Sequence, residues 1–250
     1  LHNALPIYGG VIELPEEQID GASGEELVIT KSNVRILGRG MNMHDAQEAN
    51  TTAAYRAPTQ IKYTGSGVAI QIGTSTQTST PLGIELKDFS VRGTNDGIAG
   101  VRVESNVTGG VVSGRILLEN IDVRDFKNGT WGVGVDCHYG ISVTLRRVHV
   151  HNNHRGMWFR WGNAYLVDNC LARHNYQGIR ASAFNGLKIC GQTVIESNDY
   201  QGFILSMEDN CRHLTFDGVW LENNNIISSG ANDAIYIAPD VAGTYLNLMT

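Results

Sequence analysis

Hydrophobic residues along most of the chain follow one spacing, apolar-x-apolar-x-x-apolar-x-apolar. It occurs at Ile84, Leu86, Phe89, Val91; at Ile116, Leu118, Ile121, Val123; at Val143, Leu145, Val148, Val150; at Tyr165, Val167, Cys170, Ala172; and at Leu214, Phe216, Val219, Leu221. Leu187, Ile189, Thr193 and Ile195 repeat it with one additional residue, which predicts a bulge. Alternation with period two predicts a strand with one buried face, and the two-residue step in the middle predicts a bend between two short strands. Downstream of nearly every copy a glycine opens a third alternating run: Gly100-Val101-Arg102-Val103-Glu104, Gly132-Val133-Gly134-Val135-Asp136, Gly156-Met157-Trp158-Phe159-Arg160, Gly178-Ile179-Arg180-Ala181-Ser182 and Gly202-Phe203-Ile204-Leu205-Ser206. In the last copy, Ala234 stands in the glycine position.

Successive copies start 32, 27, 22, 22 and 27 residues apart, so loop length varies while the apolar template does not. Three strands per turn, with apolar residues facing one interior, describe an all-β fold, a right-handed parallel β-helix. The expected organisation is one domain over residues 1–250, with N-terminal coils in 1–80 and regular coils in 81–240. Asn153, Asn175, Asn198 and Asn224 fall 10, 10, 11 and 10 residues after their template starts. Asparagines stacked at one turn can hydrogen-bond from coil to coil and satisfy polar groups that the turn would otherwise bury.

Composition agrees with many short strands joined by tight turns: 29 Gly against 5 Pro, 42% hydrophobic and 18% charged residues. A net charge of -6 argues against nucleic acid as a partner, because phosphate contacts need a basic surface. No apolar run reaches the roughly 18 residues of a membrane-spanning helix. The four cysteines form no CxxC pair, so no zinc site is expected. The start at Leu1 and the lack of an obvious cap after Asp240 are what a piece cut from a longer solenoid would show.

The coil template, the asparagine series and the N-terminal stretch GGVIELPEEQI...ELVITKSNVRILGRG resemble the right-handed β-helix, pectate-lyase-like superfamily, including its bacteriophage tail-spike and polysaccharide depolymerase members. That resemblance covers nearly the whole chain. It implies an extracellular protein, secreted, at a cell surface or on a virion, with a polysaccharide substrate or receptor, and the tail-spike members imply a homotrimer. It does not by itself imply an activity, because the superfamily holds lyases, hydrolases, epimerases and non-catalytic fibre domains. The pectate lyase signatures Trp-x-Asp-His and Arg-x-Pro-x-x-Arg are missing, as are the polygalacturonase Asn-Thr-Asp, Asp-Asp and Gly-His-Gly segments, so no calcium requirement or other cofactor follows.

Parallel strands lie about 4.8 Å apart, so equivalent outward residues of successive third strands form columns. The alternation predicts one column of Arg102, Gly134, Trp158, Arg180, Ile204 and Tyr236, and another of Glu104, Asp136, Arg160, Ser182, Ser206 and Ala238. Arginines that grip carboxylates or sulfates and aromatics that stack on sugar rings suit an anionic polysaccharide; a solvated sheet face with incidental charges is the alternative. An outward Trp158 favours a ligand face. Direct stacking would set Glu104 and Asp136 about 5 Å apart, the spacing of a retaining glycosidase pair.

The run Gly134-Val135-Asp136-Cys137-His138-Tyr139 resembles the Gly-x-Asp-Pro-His segment of β-helical alginate C5-epimerases at Gly134, Asp136 and His138, with Cys137 in place of Pro. This resemblance implies that Asp136 and His138 remove and return a uronate proton. Such chemistry also needs charge neutralisation and a second acid or base, which Arg160, Arg180, Tyr139 and Glu104 could supply. The candidate catalytic residues are therefore Asp136, Glu104, His138 and Arg160. Arg102, Trp158, Arg180, Tyr139, His154 and Tyr176 are the candidates for substrate binding. His154, Tyr176 and Tyr200 sit two residues before the strand-opening glycine on three successive coils, either as a stacked turn column or as an edge of the binding face.

Two functions stay open at this point: a protein that cleaves or modifies an anionic polysaccharide, and a non-catalytic glycan-binding or structural segment of a spike or fibre.

Overall fold

The computed structural model describes residues 9–22, 24–41, 58–206, 211–225, 235–237 and 246–249. Sequence assignments made for Ala234, Ala238 and residues 1–8 lie outside these. Each coil carries three strands, and all strands pair in parallel with their counterparts one coil away. The chain is a right-handed parallel β-helix. In the central coils the first two strands of the template run on as one element, in Leu82–Arg92, Gly114–Arg124 and Ile141–His151. The third strands, among them Ala99–Val103, Val133–His138, Arg155–Arg160 and Gln177–Ser182, build a separate 8-stranded sheet.

Left-handed residues turn the chain at its corners. Asp88, Asn120, Arg147 and Asn169, with φ of 61, 52, 49 and 54°, mark the bend inside the template, so the expected two-residue step is one residue in the left-handed region. Asn152, His174, Ser197 and Asn223 mark the second corner, and Tyr139, Trp161 and Ala183 the third. Asn and Asp tolerate this conformation because a short polar side chain can hydrogen-bond locally; other side chains pay roughly 1 kcal/mol or more. Repetition on every coil lets stacking offset that cost.

The template residues point inward as the alternation requires. Phe89, Leu118, Val148, Met157, Phe159 and Phe203 are all fully buried in one continuous core. Thr193 occupies the place of Cys170 in its coil, and its hydroxyl accepts from the Cys170 N–H at 3.2 Å. Gly191 and Gln192, at φ of 67 and 61°, absorb the additional residue just before it, which confirms the bulge.

The asparagines form the expected ladder. Asn153 Nδ2 donates to Asn175 Oδ1 at 3.1 Å, Asn175 Nδ2 to Asn198 Oδ1 at 3.1 Å, and Asn198 Nδ2 to Asn224 Oδ1 at 2.7 Å. The same oxygens accept from backbone N–H groups, and each Nδ2 also reaches a backbone carbonyl of the preceding coil. Beside the ladder runs a column of Gly134, Gly156 and Gly178. A Cβ on Gly156 would lie 2.5 Å from the Gly178 carbonyl oxygen and 2.9 Å from Asn175 Nδ2. Only glycine lets the chain approach the ladder this closely.

That column corrects one sequence assignment, since Gly134 and not Gly132 opens the third strand of its coil. Gly132 still belongs to the corner loop, where its N–H bonds the Asn128 carbonyl at 2.7 Å. The two additional corner residues shift everything after them by one full alternation, which leaves the inward and outward faces unchanged and moves each outward residue by one rung.

Candidate functional site

The third sheet presents its outer face along the solenoid. Backbone register places Gln71, Arg102, Asp136, Trp158, Arg180, Ile204 and Tyr236 in one column. His138, Arg160 and Ser182 follow in the next, and the N–H of Glu104 bonds the Ile72 carbonyl at the matching level. Glu104 therefore lies beside His138, while Asp136 lies beside Arg102. The expected Glu104–Asp136 carboxylate pair does not form, because the strand of Asp136 starts two residues later than its first glycine suggests.

Asp136 is completely buried on what the alternation makes an outward position. Its Oδ2 accepts from Arg102 Nε at 2.8 Å and from Arg160 Nη2 at 2.9 Å, and its Oδ1 accepts from Arg160 Nε at 3.2 Å. A buried carboxylate held by two guanidinium groups is a structural anchor that fixes both arginines.

Trp158 follows Asp136 in the column and is only 5% exposed, contrary to its expected role as a bare aromatic platform. Three guanidinium groups lie over its ring, Arg160 at 4.0 Å, Arg155 at 4.7 Å and Arg180 at 5.1 Å from the centroid. Trp131 stacks beside it, with centroids 6.2 Å apart and an interplanar angle of 20°. Trp131 is the residue solvent meets, 48% exposed, on the corner loop held by Asn128, whose Oδ1 accepts from the N–H groups of Thr130 and Trp131.

At the other end of the same rungs, Glu104 Oε2 accepts from Gln71 Nε2 at 2.9 Å, and its Oε1 is 3.7 Å from His138 Nδ1. The interaction with His138, together with the charge of Arg102, holds the Glu104 carboxyl below the ordinary carboxylate range despite partial burial. His138 packs against Tyr139 and Trp161, with ring centroids 4.5 and 5.4 Å away, and Tyr139 and Trp161 stack on each other at 5.3 Å and 16°. Both of these aromatics are left-handed corner residues of successive coils, which is why they superpose.

His154, Tyr176 and Tyr200 form a third group beside the face. Their rings stack in series, 4.8 Å at 14° and then 5.4 Å at 6°. The ring faces cover one another along the helix axis, so a ligand would meet mainly their edges. Burial and the neighbouring Arg155 depress the pKa of His154.

Of the residues singled out from the sequence, Glu104, His138, Tyr139, Arg102, Arg160, Trp158 and Arg180 thus share one face, with Asp136 beneath them. Arg155, Trp131, Trp161 and Gln71 belong to the same group and were not assigned from the sequence. Arg155 faces outward in the residue before a strand glycine, a place the alternation of the third strand does not cover. Among the described residues no three His, Cys, Asp or Glu side chains converge to hold a metal ion, and the four cysteines are free thiols.

A search of curated proteins finds no match. Among solved structures, ORF18 of Geobacillus virus E2 superposes with a TM-score of 0.50 at 15% identity, covering 96% of this chain and 40% of that one. The chain thus spans less than half the length of that protein, and the likeness is one of fold. The A-modules of the Azotobacter vinelandii mannuronan C-5 epimerases AlgE4 and AlgE6 give TM-scores of 0.46 and 0.48 at 12% and 14% identity. They cover 96% of this chain and 78% and 76% of their own. Over residues 90–247, more than half its length, the sequence matches the family described as periplasmic copper-binding protein (NosD), and the chain belongs to that family.

Proposed function

We propose that this protein binds an anionic polysaccharide along the outer face of the third sheet and modifies it at the end marked by Glu104 and His138. One observation carries the reading: four arginines, Arg102, Arg155, Arg160 and Arg180, crowd one strip of a chain whose net charge is -6. Aromatic rings flank them on both sides. Guanidinium groups grip carboxylates or sulfates, and the aromatics offer apolar surface to sugar rings.

The chemistry that fits these residues is proton transfer next to a uronate carboxylate, the first step shared by polysaccharide lyases and C5-epimerases. Arginines of the face would neutralise the substrate carboxylate and so stabilise the charge that builds up when the neighbouring C–H proton leaves. His138 is placed to take that proton, with Glu104 orienting it, and Tyr139 is the group at hand to protonate the leaving oxygen or the opposite face. Asp136 holds Arg102 and Arg160 in position and takes no part as acid or base. A hydrolase using Glu104 and Asp136 loses its basis with the change of register.

A second reading, glycan binding without turnover, is favoured by the same burial of Asp136, whose two oxygens are committed to arginines. Incubation with a panel of acidic and neutral polysaccharides separates the two. New reducing ends with ultraviolet absorbance from unsaturated uronates identify a lyase, and a changed uronate ratio by proton NMR without new ends identifies an epimerase. Binding with neither signal sustains the second reading, and no binding to any polysaccharide removes both.

The family description also carries copper. Among the described residues no group of three His, Cys, Asp or Glu side chains converges that would hold it, and copper enters no step above. Its other term, periplasmic, supports a location outside the cytoplasm; whether that is the periplasm, the cell surface or a virion is decided by fractionating the source cells.

A further inference from the structure

The arginines on this face are not equivalent. Arg102 and Arg160 are matched by Asp136. Arg155 donates from Nε to Gln177 Oε1 at 3.1 Å and from Nη1 to the Thr130 carbonyl at 2.8 Å, both neutral acceptors, and among the described residues no carboxylate pairs with it. It nevertheless shares the indole of Trp158 with Arg160 and Arg180. The indole N–H of Trp158 is buried and has no acceptor among the described residues. Beside this group stands Trp131, half-exposed, on the loop whose Thr130 carbonyl Arg155 holds.

From this geometry we infer that Arg155, with Arg180 and Trp158 beside it and Trp131 as an aromatic shelf, forms an oxyanion subsite for one acidic group of the glycan. This rests on the polysaccharide reading and adds to it the position and charge of one sugar residue. A carboxylate or sulfate here supplies the missing counter-charge for Arg155, while the ring that carries it lies against Trp131. Burial and, less, the nearby Arg180 pull the Arg155 pKa down to about 10, with Asp136 opposing the shift. The subsite lies one coil further towards the C-terminus than His138 and at the opposite end of the third strand, about 16 Å away along it, so it would hold a sugar remote from the reacting one.

The test uses the whole chain and its tryptophan fluorescence, with Trp131 and Trp158 as reporters. Trigalacturonate, its fully methyl-esterified form and a sulfated neutral trisaccharide are titrated into wild type, Arg155→Gln and Arg155→Lys. The expected result is binding of trigalacturonate by wild type, at least about tenfold weaker binding by Arg155→Gln, and an intermediate loss in Arg155→Lys, because an ammonium keeps the charge and loses the fork. The methyl ester should bind wild type as poorly as the free acid binds Arg155→Gln. An equal Arg155 dependence for the sulfated sugar assigns the subsite to sulfate as well as carboxylate. Should Arg155→Gln fail to fold, Arg155→Lys against the ester comparison decides alone. Trigalacturonate binding that is unchanged in both variants overturns the subsite and leaves the polysaccharide reading standing, whereas a folded wild type that binds none of the sugars overturns both.

Discussion

Arg160 grips Asp136 with two parallel hydrogen bonds, Nε to Oδ1 at 3.2 Å and Nη2 to Oδ2 at 2.9 Å, while its guanidinium lies 4.0 Å from the centre of the Trp158 ring. One side chain thus ties a fully buried carboxylate of this face to its central aromatic. Replacing Asp136 with Asn keeps the shape and removes the charge, leaving Arg102 and Arg160 without compensation. Breaking a buried pair in this way typically costs about 3–5 kcal/mol. Urea denaturation of Asp136→Asn should show a loss of that order, and loss of glycan binding should accompany it because both arginines are released. A variant of wild-type stability would mean that the buried carboxylate does not anchor them.

The Glu104 carboxyl lies below the ordinary carboxylate range in the folded protein, chiefly through His138. A depressed folded-state pKa gives stability that is present above the unfolded value and is lost as pH falls through the folded one. Stability measured at descending pH should therefore decline more steeply for wild type than for Glu104→Gln in the acid range below the ordinary glutamate value. Parallel curves would remove the coupling to His138.

His149 lies on the neighbouring sheet face, close to Asp122 and His151, and burial holds its pKa below the ordinary histidine value, with His151 adding to the effect and Asp122 opposing it. The unfolded chain then binds a proton that the folded chain refuses, so stability should rise with pH from the folded pKa of His149 up to about 6.5. His149→Gln should flatten that part of the thermal stability profile, as read by calorimetry between those limits.

Asn175 stands in the middle of the ladder and is fully buried, whereas Asn224 forms its last described rung. Asn175→Ala leaves the Asn153 amide, the Val150 carbonyl and Asn198 Oδ1 each short of a partner. At about 1–3 kcal/mol for a buried polar group left unsatisfied, the loss should be several kcal/mol. Asn224→Ala should cost less, because Asn198 is the one ladder side chain it serves. Chemical denaturation of the two variants side by side gives the comparison, and equal losses would rule out the ladder as the cause.

Trp131 contributes little to the core and stands at the solvent side of the arginine group. Trp131→Ala should leave the unfolding midpoint almost unchanged and weaken trigalacturonate binding, because contact of a sugar ring with the indole is lost. Calorimetric titration of the variant measures both the affinity and its enthalpy. An unaltered affinity would take the shelf role away from Trp131.

The sequence by itself determined the solenoid. Inward positions are set by a period of two within each strand, asparagine and glycine positions by their distance from each template, and all of these are local properties that survive changes in loop length. Leu118, Val148, Phe159 and Asn175 are where the alternation puts them because a one-residue error would have turned a whole strand inside out. Tertiary structure decided which outward residue meets which. A shift of two residues keeps every apolar side chain inside, so the pattern cannot register it, yet it moves Asp136 from Glu104 to Arg102 and His138 into the place beside Glu104. The choice between Gly132 and Gly134 is made by contact with the next coil, where Gly134 meets the Gly156 carbonyl and the Asn153 side chain. For the same reason the burial of Trp158 by Arg155, Arg160, Arg180 and Trp131 was not legible in the chain: these residues come from two successive coils and a corner loop, and stacking brings Arg180 and Trp131 to the ring.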